Sequence, residues 1–349
     1  MSQTVEREAI HHIEDEASGL SAAIVIHSTA LGPAAGGCRL WAYDSAEAMI
    51  ADGCRLAEGM TYKNALAGLP LGGGKAVISR PRGEFDRTAL FRAFGRAVEA
   101  LHGSYVTAED VGTSVADMMM VAQATKHVAG LPPEAGRAGG DPSPWTAIGV
   151  FRSMEVAVAR RLSRPLSECT VALQGAGHVG AELARLLYEA GAKLVITDID
   201  RAVAAGIAAR TGAVAVAPDA ILDVPTDVFA PCALGGVLNE GTIAQMSAKV
   251  VCGAANNQLA TPADGVRLAE SGILYAPDYV VNAGGIINAG AEHLGWCPDE
   301  AQERILGTGR RLADILDHAE ANGLTPEQAA DHRARQIVAA ARQPIGAAV

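Results

Sequence analysis

The stretch VALQGAGHVG limits how this chain can fold more than any other. Gly175, Gly177 and Gly180 stand as G-x-G-x-x-G between an apolar segment, TVALQ (170–174), and an alanine-rich helical pattern running to about Ala190. In that setting each glycine has its own use: a tight turn, close approach of backbone to a pyrophosphate, and close packing of helix on strand. The helix start then offers unpaired N–H groups to phosphate. Asp198 closes the next apolar segment, KLVITD (193–198), about 23 residues after Gly175. A carboxylate there accepts both ribose hydroxyls of NAD and repels the extra phosphate of NADP. Asp198 alone also reads as a helix cap or turn residue, and Asp200 is placed to share or replace its role. His178 and Val179 fall in the loop beside the cofactor, His178 as a neighbour and not a catalyst.

Strand and helix patterns keep alternating beyond this point. A helix to about Ala209 is followed by AVAVA (213–217), DVFAPC (227–232), AKVVCGAAN (248–256) and ILYAPDYVV (273–281), and the pattern is helical from Pro298. Such alternation predicts an α/β protein with a doubly wound parallel sheet. Aromatic residues make up only 4% of the chain. Cores of alanine, valine, isoleucine and leucine suit parallel strands buried on both faces.

The first part of the chain predicts strands at AAIVIHS (22–28), KAVIS (75–79) and YVTAED (105–110), with helices over Ser45–Met60 and Phe85–Leu101. ALGPAAGGCR reads as turn residues. GLPPEAGRAGGDPSP (130–144), dense in glycine and proline, reads as a linker or active-site loop. At 349 residues the chain exceeds one typical core. Two domains are expected, with a cleft between them: a substrate-binding and oligomerisation domain over 1–144, to which 331–349 return, and a Rossmann-type dinucleotide domain over 145–330.

The formal charge is -11 and no basic block is present, which weighs against nucleic acid or an anionic membrane as partner. The first residues are too charged for a signal peptide, and no apolar run reaches the length of a membrane span. A soluble cytoplasmic protein is expected. The six cysteines are scattered without a C-x-x-C pair, so they read as reduced thiols, and none of the nine histidines has metal-binding spacing. No metal is expected.

Two lysines stand out in GMTYKNALAGLPLGGGKAVI. Lys63 and Lys75 lie about 12 residues apart, the second directly after Gly72-Gly73-Gly74. Lysine is seldom buried without a partner, and a glycine run leaves backbone open to close approach. The pair suggests a cleft for a small anion. Each lysine alone also reads as a surface or strand-edge charge. Asp110 closes YVTAED and is placed to face the same cleft, whereas the adjacent Glu109 reads as a solvated or structural acid.

Together GPAAGGCR, GMTYKNALAGLPLGGGKAVI, TAEDVGTSVADM, GAANNQLA and ILYAPDYVVNAGG resemble the glutamate/leucine/phenylalanine/valine dehydrogenase family, over about residues 22–335. The likeness is closest to its leucine, valine and phenylalanine members. It implies NAD-dependent, reversible oxidative deamination of an apolar L-amino acid to the 2-oxo acid, ammonia and NADH, by a homo-oligomer. It implies that Lys63 binds the substrate carboxylate with backbone N–H groups near Gly36 and Gly37. Lys75 would activate water as general base, a role that desolvation and a second lysine favour. Asp110 would accept and return protons of the amino group. Thr146, Asn256 and Asn282 would meet the nicotinamide half of NAD, with Asn257 beside the substrate. Asn256 and Asn257 read equally as turn residues after a strand.

The resemblance also places Ala35, Met60, Ile286 and Ala289 around the substrate side chain. The family's leucine enzymes commonly carry Leu and Val where this chain has Ala35 and Ala289, and both changes remove bulk. They point to phenylalanine ahead of leucine or valine, although Ala108 matches branched-chain members. Gly290-Ala291-Glu292 departs from the family's usual Ala-Asp-Glu and leaves the role of 290–297 open. Two other readings stand beside this one: a hydroxy-acid dehydrogenase, for which no histidine–acid pair is evident, and a non-catalytic NAD-binding protein.

Overall fold

The computed structural model describes residues 9–132 and 136–342. The charged first residues, part of the 130–144 loop and the end of the returning 331–349 segment lie outside them. By backbone contacts the chain divides into two units. One runs to Asp141 and takes in Ile286–Ala301 and the chain from Ala334; the other holds Pro142–Gly285 and Gln302–Arg333. The segment Ile286–Ala301 lies inside the range 145–330, so the chain leaves the second unit there and re-enters it.

Among the described residues the first unit contains strands β1 (Ala9–Asp15), β2 (Leu20–Ser28), β3 (Ala34–Trp41), β4 (Gly72–Ser79) and β5 (Tyr105–Glu109). Its helices are α1 (Ala46–Ala67), α2 (Arg87–Glu99) and α3 (Val115–Ala122). The sheet order is β1-β2-β4-β3-β5, with β4 in the centre. β2 runs antiparallel to β1 and β4, while β3 runs parallel to β4 and β5. One face buries Ile24, Ile26, Ala76, Ile78 and Tyr105 with Leu90, Phe91 and Phe94 of α2 and Met118 and Val121 of α3. The other packs Ala23 and Val77 against Met49 of α1. The two-residue period of a strand puts Gly73, Lys75 and Val77 on the α1 face.

Two stretches differ from the sequence expectation. ALGPAAGGCR, expected as turn residues, supplies most of β3, and the strand expected from Lys75 already begins at Gly72. Packing explains both. Thr61 of α1 lies so close to Gly73 that a Cβ there would overlap its hydroxyl and backbone. A Cβ on Gly72 would overlap the Ser28 carbonyl, and one on Gly36 the Gly74 carbonyl. The glycines let strands and helix close on one another. α1 also outlasts its expected end at Met60 and stops at Gly68, whose left-handed φ of 69° caps it. Lys63 therefore stands on a helix.

The second unit opens with α4 (Ser143–Leu162), then alternates β6 (Thr170–Gln174), α5 (His178–Glu189), β7 (Lys193–Thr197), α6 (Arg201–Thr211), β8 (Val214–Ala215) and β9 (Val228–Pro231). It continues through α7 (Glu240–Gln245), β10 (Val250–Val251), α8 (Pro262–Glu270), β11 (Leu274–Tyr275) and α9 (Asp278–Val281). The remaining helices are α10 (Gly284–Leu294), most of which belongs to the first unit, α11 (Pro298–Leu306), α12 (Thr308–Asn322) and α13 (Pro326–Arg342), which belongs to the first unit from Ala334. The sheet order is β11-β10-β9-β6-β7-β8, and every pairing is parallel. Winding reverses between β6 and β9, and the loop after β6 sits at that switch point, where this fold class binds ligands. ILYAPDYVV is shorter as strand than expected because Pro277 ends it and Asp278 begins a helix.

The 290–297 segment has a definite place in the first unit. Glu292 accepts from the Gly130 N–H at 2.9 Å and the Leu131 N–H at 3.2 Å. Gly290 lies against Leu69 and Leu71. The segment thus braces the start of the 130–144 loop.

Gly73→Ala is expected to destabilise the protein by about 1–3 kcal/mol, the usual range for overpacking. Thermal unfolding measures it. An unchanged midpoint would mean that α1 does not press on β4 at this point.

Candidate active site

Lys75 is only 4% exposed, and a buried ammonium needs an anion. Its Nζ lies 3.1 Å from Asp110 Oδ2. These residues belong to β4 and to the end of β5, which are separated in the sheet by β3. Gly37 of β3 makes the reach possible: a Cβ there would stand 2.9 Å from Asp110 Cβ. The Asp110 backbone N–H donates to Thr113 Oγ1 at 2.8 Å and fixes the turn. Burial works against the Asp110 charge, yet Lys75 and Arg39 outweigh it and hold the carboxyl below its ordinary range.

The pairing of β3 with β4 is interrupted beside this ion pair. Ala35 pairs with Gly73 and Cys38 with Ala76, with no partners between them. Tyr105, fully buried, occupies the interruption. Its hydroxyl accepts from the Ala76 N–H at 3.0 Å and donates to the Gly36 carbonyl at 2.5 Å. Gly36 and Gly37 therefore sit where the strands part, with Met60 over Gly36. Tyr105 was not singled out in the sequence, where it is one residue of the strand pattern YVTAED.

Lys63 is half-buried on α1. Its neighbour Asn64 fixes that turn, donating to the Gly72 carbonyl at 2.5 Å. On the preceding turn Thr61 Oγ1 lies 2.8 Å from His27 Nδ1 on β2. Burial pushes the nearby Cys38 thiol up to about 12, so it stays protonated at neutral pH. Ala35 is 4% exposed, while Met60, Ile286 and Ala289 are half-buried.

In the second unit the three motif glycines divide their tasks. Gly175 adopts φ 101°, which a side chain disfavours, and packs against Cys232 and Ala233. A Cβ on Gly180 would overlap the Gly175 carbonyl, whereas one on Gly177 would meet nothing within 4 Å. Gly177 caps α5 without a side-chain hydrogen bond, leaving the helix start as an anion cradle. His178 is exposed there, and Val179 half-buried.

Asp198 Oδ2 accepts from the Ala176 N–H at 2.6 Å and ties β7 to the glycine loop. Asp200 does not replace it, because its carboxylate caps α6 at Ala202 and Val203. Asn282, 6% exposed, donates to the Ala254 carbonyl at 3.0 Å and to Asn256 Oδ1 at 2.9 Å. Its own Oδ1 is buried without a hydrogen-bond partner, which fits a group that brings an N–H donor, such as the carboxamide of nicotinamide. Asn257 takes a left-handed φ of 52°, the conformation of a turn asparagine. Thr146 Oγ1 donates to the Pro142 carbonyl at 3.0 Å in the first turn of α4.

A parallel sheet with an open glycine cradle at its switch point is the arrangement of dinucleotide-binding proteins, and the buried lysine–aspartate pair brings two titratable groups together. Residues 5–127 match the model of the Glu/Leu/Phe/Val dehydrogenase dimerisation domain, and residues 196–343 that of Glutamate/Leucine/Phenylalanine/Valine dehydrogenase. The chain belongs to this family and is an NAD-dependent amino-acid dehydrogenase acting on the CH–NH2 group. It is 46% identical over 342 residues to a leucine dehydrogenase of Geobacillus stearothermophilus, covering 98% of this chain and 93% of that one. It is 47% identical over 333 residues to a valine dehydrogenase of Streptomyces coelicolor, covering 94% and 91%. Among solved structures, L-tryptophan dehydrogenase from Nostoc punctiforme superposes with a TM-score of 0.84 at 38% identity, over 96% of this chain and 97% of that one.

These relatives overturn the expectation of phenylalanine ahead of leucine or valine. The burial of Ala35 gives the physical reason: a small residue whose surroundings already cover it leaves no added room for a ring. Among the described residues no helix is long and apolar enough to cross a membrane.

The glycine geometry separates two variants. Gly177→Ala is expected to keep the thermal midpoint of the parent and to weaken NADH binding about tenfold, read by fluorescence titration. Gly180→Ala is expected to lower the midpoint, since its Cβ has no free space. Equal effects of the two on stability would contradict the assignment of Gly177 to the ligand.

Proposed function

We propose that this protein is a branched-chain L-amino-acid dehydrogenase, converting leucine and valine with water and NAD to the 2-oxo acid, ammonia and NADH. The observation that carries this reading is the buried Lys75–Asp110 pair, in a chain with 46–47% identity to leucine and valine dehydrogenases. Lys63 binds the substrate carboxylate, with backbone N–H groups at Gly36 and Gly37. Asp110 accepts a proton from the substrate amino group and returns one to the departing ammonia. Lys75, once it has passed its own proton to solvent, acts as a neutral amine and takes the proton of the water that adds at Cα. Bound NAD supplies the acceptor for the Cα hydride.

The glycine cradle with His178 and Val179 holds the pyrophosphate, Asp198 the ribose, and Thr146, Asn256 and Asn282 the nicotinamide. Met60, Ile286 and Ala289 surround the substrate side chain, while Ala35 is covered by its own neighbours. We also infer a homo-oligomer, because residues 5–127 match a dimerisation domain. Light scattering giving the mass of one chain would exclude it.

NADH appearance at alkaline pH tests the activity with L-leucine, L-valine, L-phenylalanine and L-glutamate. Leucine or valine is expected to turn over fastest. Lys75→Met and Asp110→Asn are each expected to lower kcat by roughly 100- to 10,000-fold, the range for a lost acid–base group, with NADH binding retained. Phenylalanine outpacing both branched substrates would defeat the substrate assignment, and absence of NADH with every amino acid would defeat the activity.

A further inference from the structure

Asp110 is held by more than Lys75. Its Oδ2 also accepts from Arg39 Nε at 3.0 Å, so one oxygen carries both cations. Among the described residues Oδ1 has no hydrogen-bond partner. Arg39 stands on β3 two residues after Gly37, and its Nη1 reaches Asp52 Oδ2 on α1 at 3.1 Å. Asp52 is fixed in turn by the Tyr43 hydroxyl at 2.9 Å and by Arg55 Nη2 at 2.7 Å. The Arg39, Asp52 and Asp110 side chains are 17–18% exposed, where water screens charge weakly. A planar guanidinium spans two carboxylates at fixed angles, which the point charge of a lysine does not.

The titratable groups around Asp110 are Lys75 from β4, Arg39 and Cys38 from β3, Tyr105 from β5, Asp52 from α1, and Tyr43 in the turn before α1. Burial pushes Cys38, Tyr43 and Tyr105 up, so all three stay neutral in the working range. The charges that decide the state of Asp110 are therefore those of Lys75 and Arg39, with Asp52 behind Arg39.

We propose that Arg39 is a positioning residue for the reaction: braced by Asp52, it grips Asp110 by Oδ2, keeps it a carboxylate, and leaves Oδ1 to take the substrate's proton. This rests on the dehydrogenase reading above. It explains why a strand facing the ion pair carries Gly-Cys-Arg. Gly37 clears the path for Asp110, and Arg39 fixes where it stops.

The test is the pH profile of kcat/KM for L-leucine with Arg39→Gln and Arg39→Lys beside the parent protein. The acid limb reports protonation of the site's bases and not one group alone. Removing a cation beside a base makes it hold a proton more tightly. Arg39→Gln is expected to move the acid limb up by about one pH unit and to lower kcat about tenfold or more, with the NADH dissociation constant unchanged. Arg39→Lys keeps the charge but loses the fork, so its limb is expected near the parent's while kcat still falls.

A Gln variant with an unshifted limb, or Gln and Lys variants with equal shifts, would overturn the role. Should the Gln variant not fold, the Lys variant decides, since parent-level kcat in it would overturn the proposal. Parent protein without turnover on any amino acid removes the dehydrogenase reading itself. Parent turnover with an unshifted Gln variant removes only the role of Arg39.

Discussion

Burying an ammonium in the middle of a sheet is the constraint around which the first unit is built. Lys75 occupies the central strand at 4% exposure, and an unpaired charge there costs several kcal/mol. Its anion comes from across the neighbouring strand. That demand explains Gly37, which has no side chain to obstruct Asp110, and the parting of β3 from β4 that Tyr105 seals with its hydroxyl. A pair gripped at fixed distance is also what proton transfer needs, because the donor and acceptor atoms are already placed. In the proposed reaction stability and chemistry make the same request of the sequence.

The second unit meets a different demand with the same residue type. Gly175 provides a backbone angle and Gly180 provides packing room, both for the protein's own sake. Of the three motif glycines only Gly177 faces open space, which is why the proposed function gives it to the cofactor. In the first unit the space beside Gly36, Gly37, Gly72 and Gly73 is filled by strand and helix. Only the three-dimensional surroundings tell a glycine kept for packing from one kept for a ligand.

This difference sets how much was legible in the chain. The nucleotide motif was readable because its strand, turn and helix are contiguous and each glycine acts locally. Lys75 and Asp110 could be picked out as buried-looking charges at strand ends, but not their distance, which depends on the order β4-β3-β5. ALGPAAGGCR misled because glycine density is a turn signal in isolation, whereas here it marks strands forced close together. Arg39 was passed over entirely: an arginine beside a glycine pair has no local signature, and its partners lie 13 and 71 residues away. The substrate reading failed for a related reason. Counting methyl groups lost at Ala35 and Ala289 assumes that the space stays empty, and Ala35 is already covered.

The reach of Arg39 carries one more consequence. It joins β3 to α1 through Asp52 and to the end of β5 through Asp110, while Asn64 and Thr61 join α1 to β4 at its other end. The helix that carries Lys63 is therefore tied to the sheet toward both ends. In the proposed reaction a substrate carboxylate held by Lys63 and a proton held by Lys75 or Asp110 would share one frame. Loosening that frame alters the alignment of the reacting groups before it unfolds anything, because effective molarity falls steeply with misplacement of even an ångström. The charges of the site thus hold the helix and sheet together, and in the proposed reaction they would serve the chemistry as well.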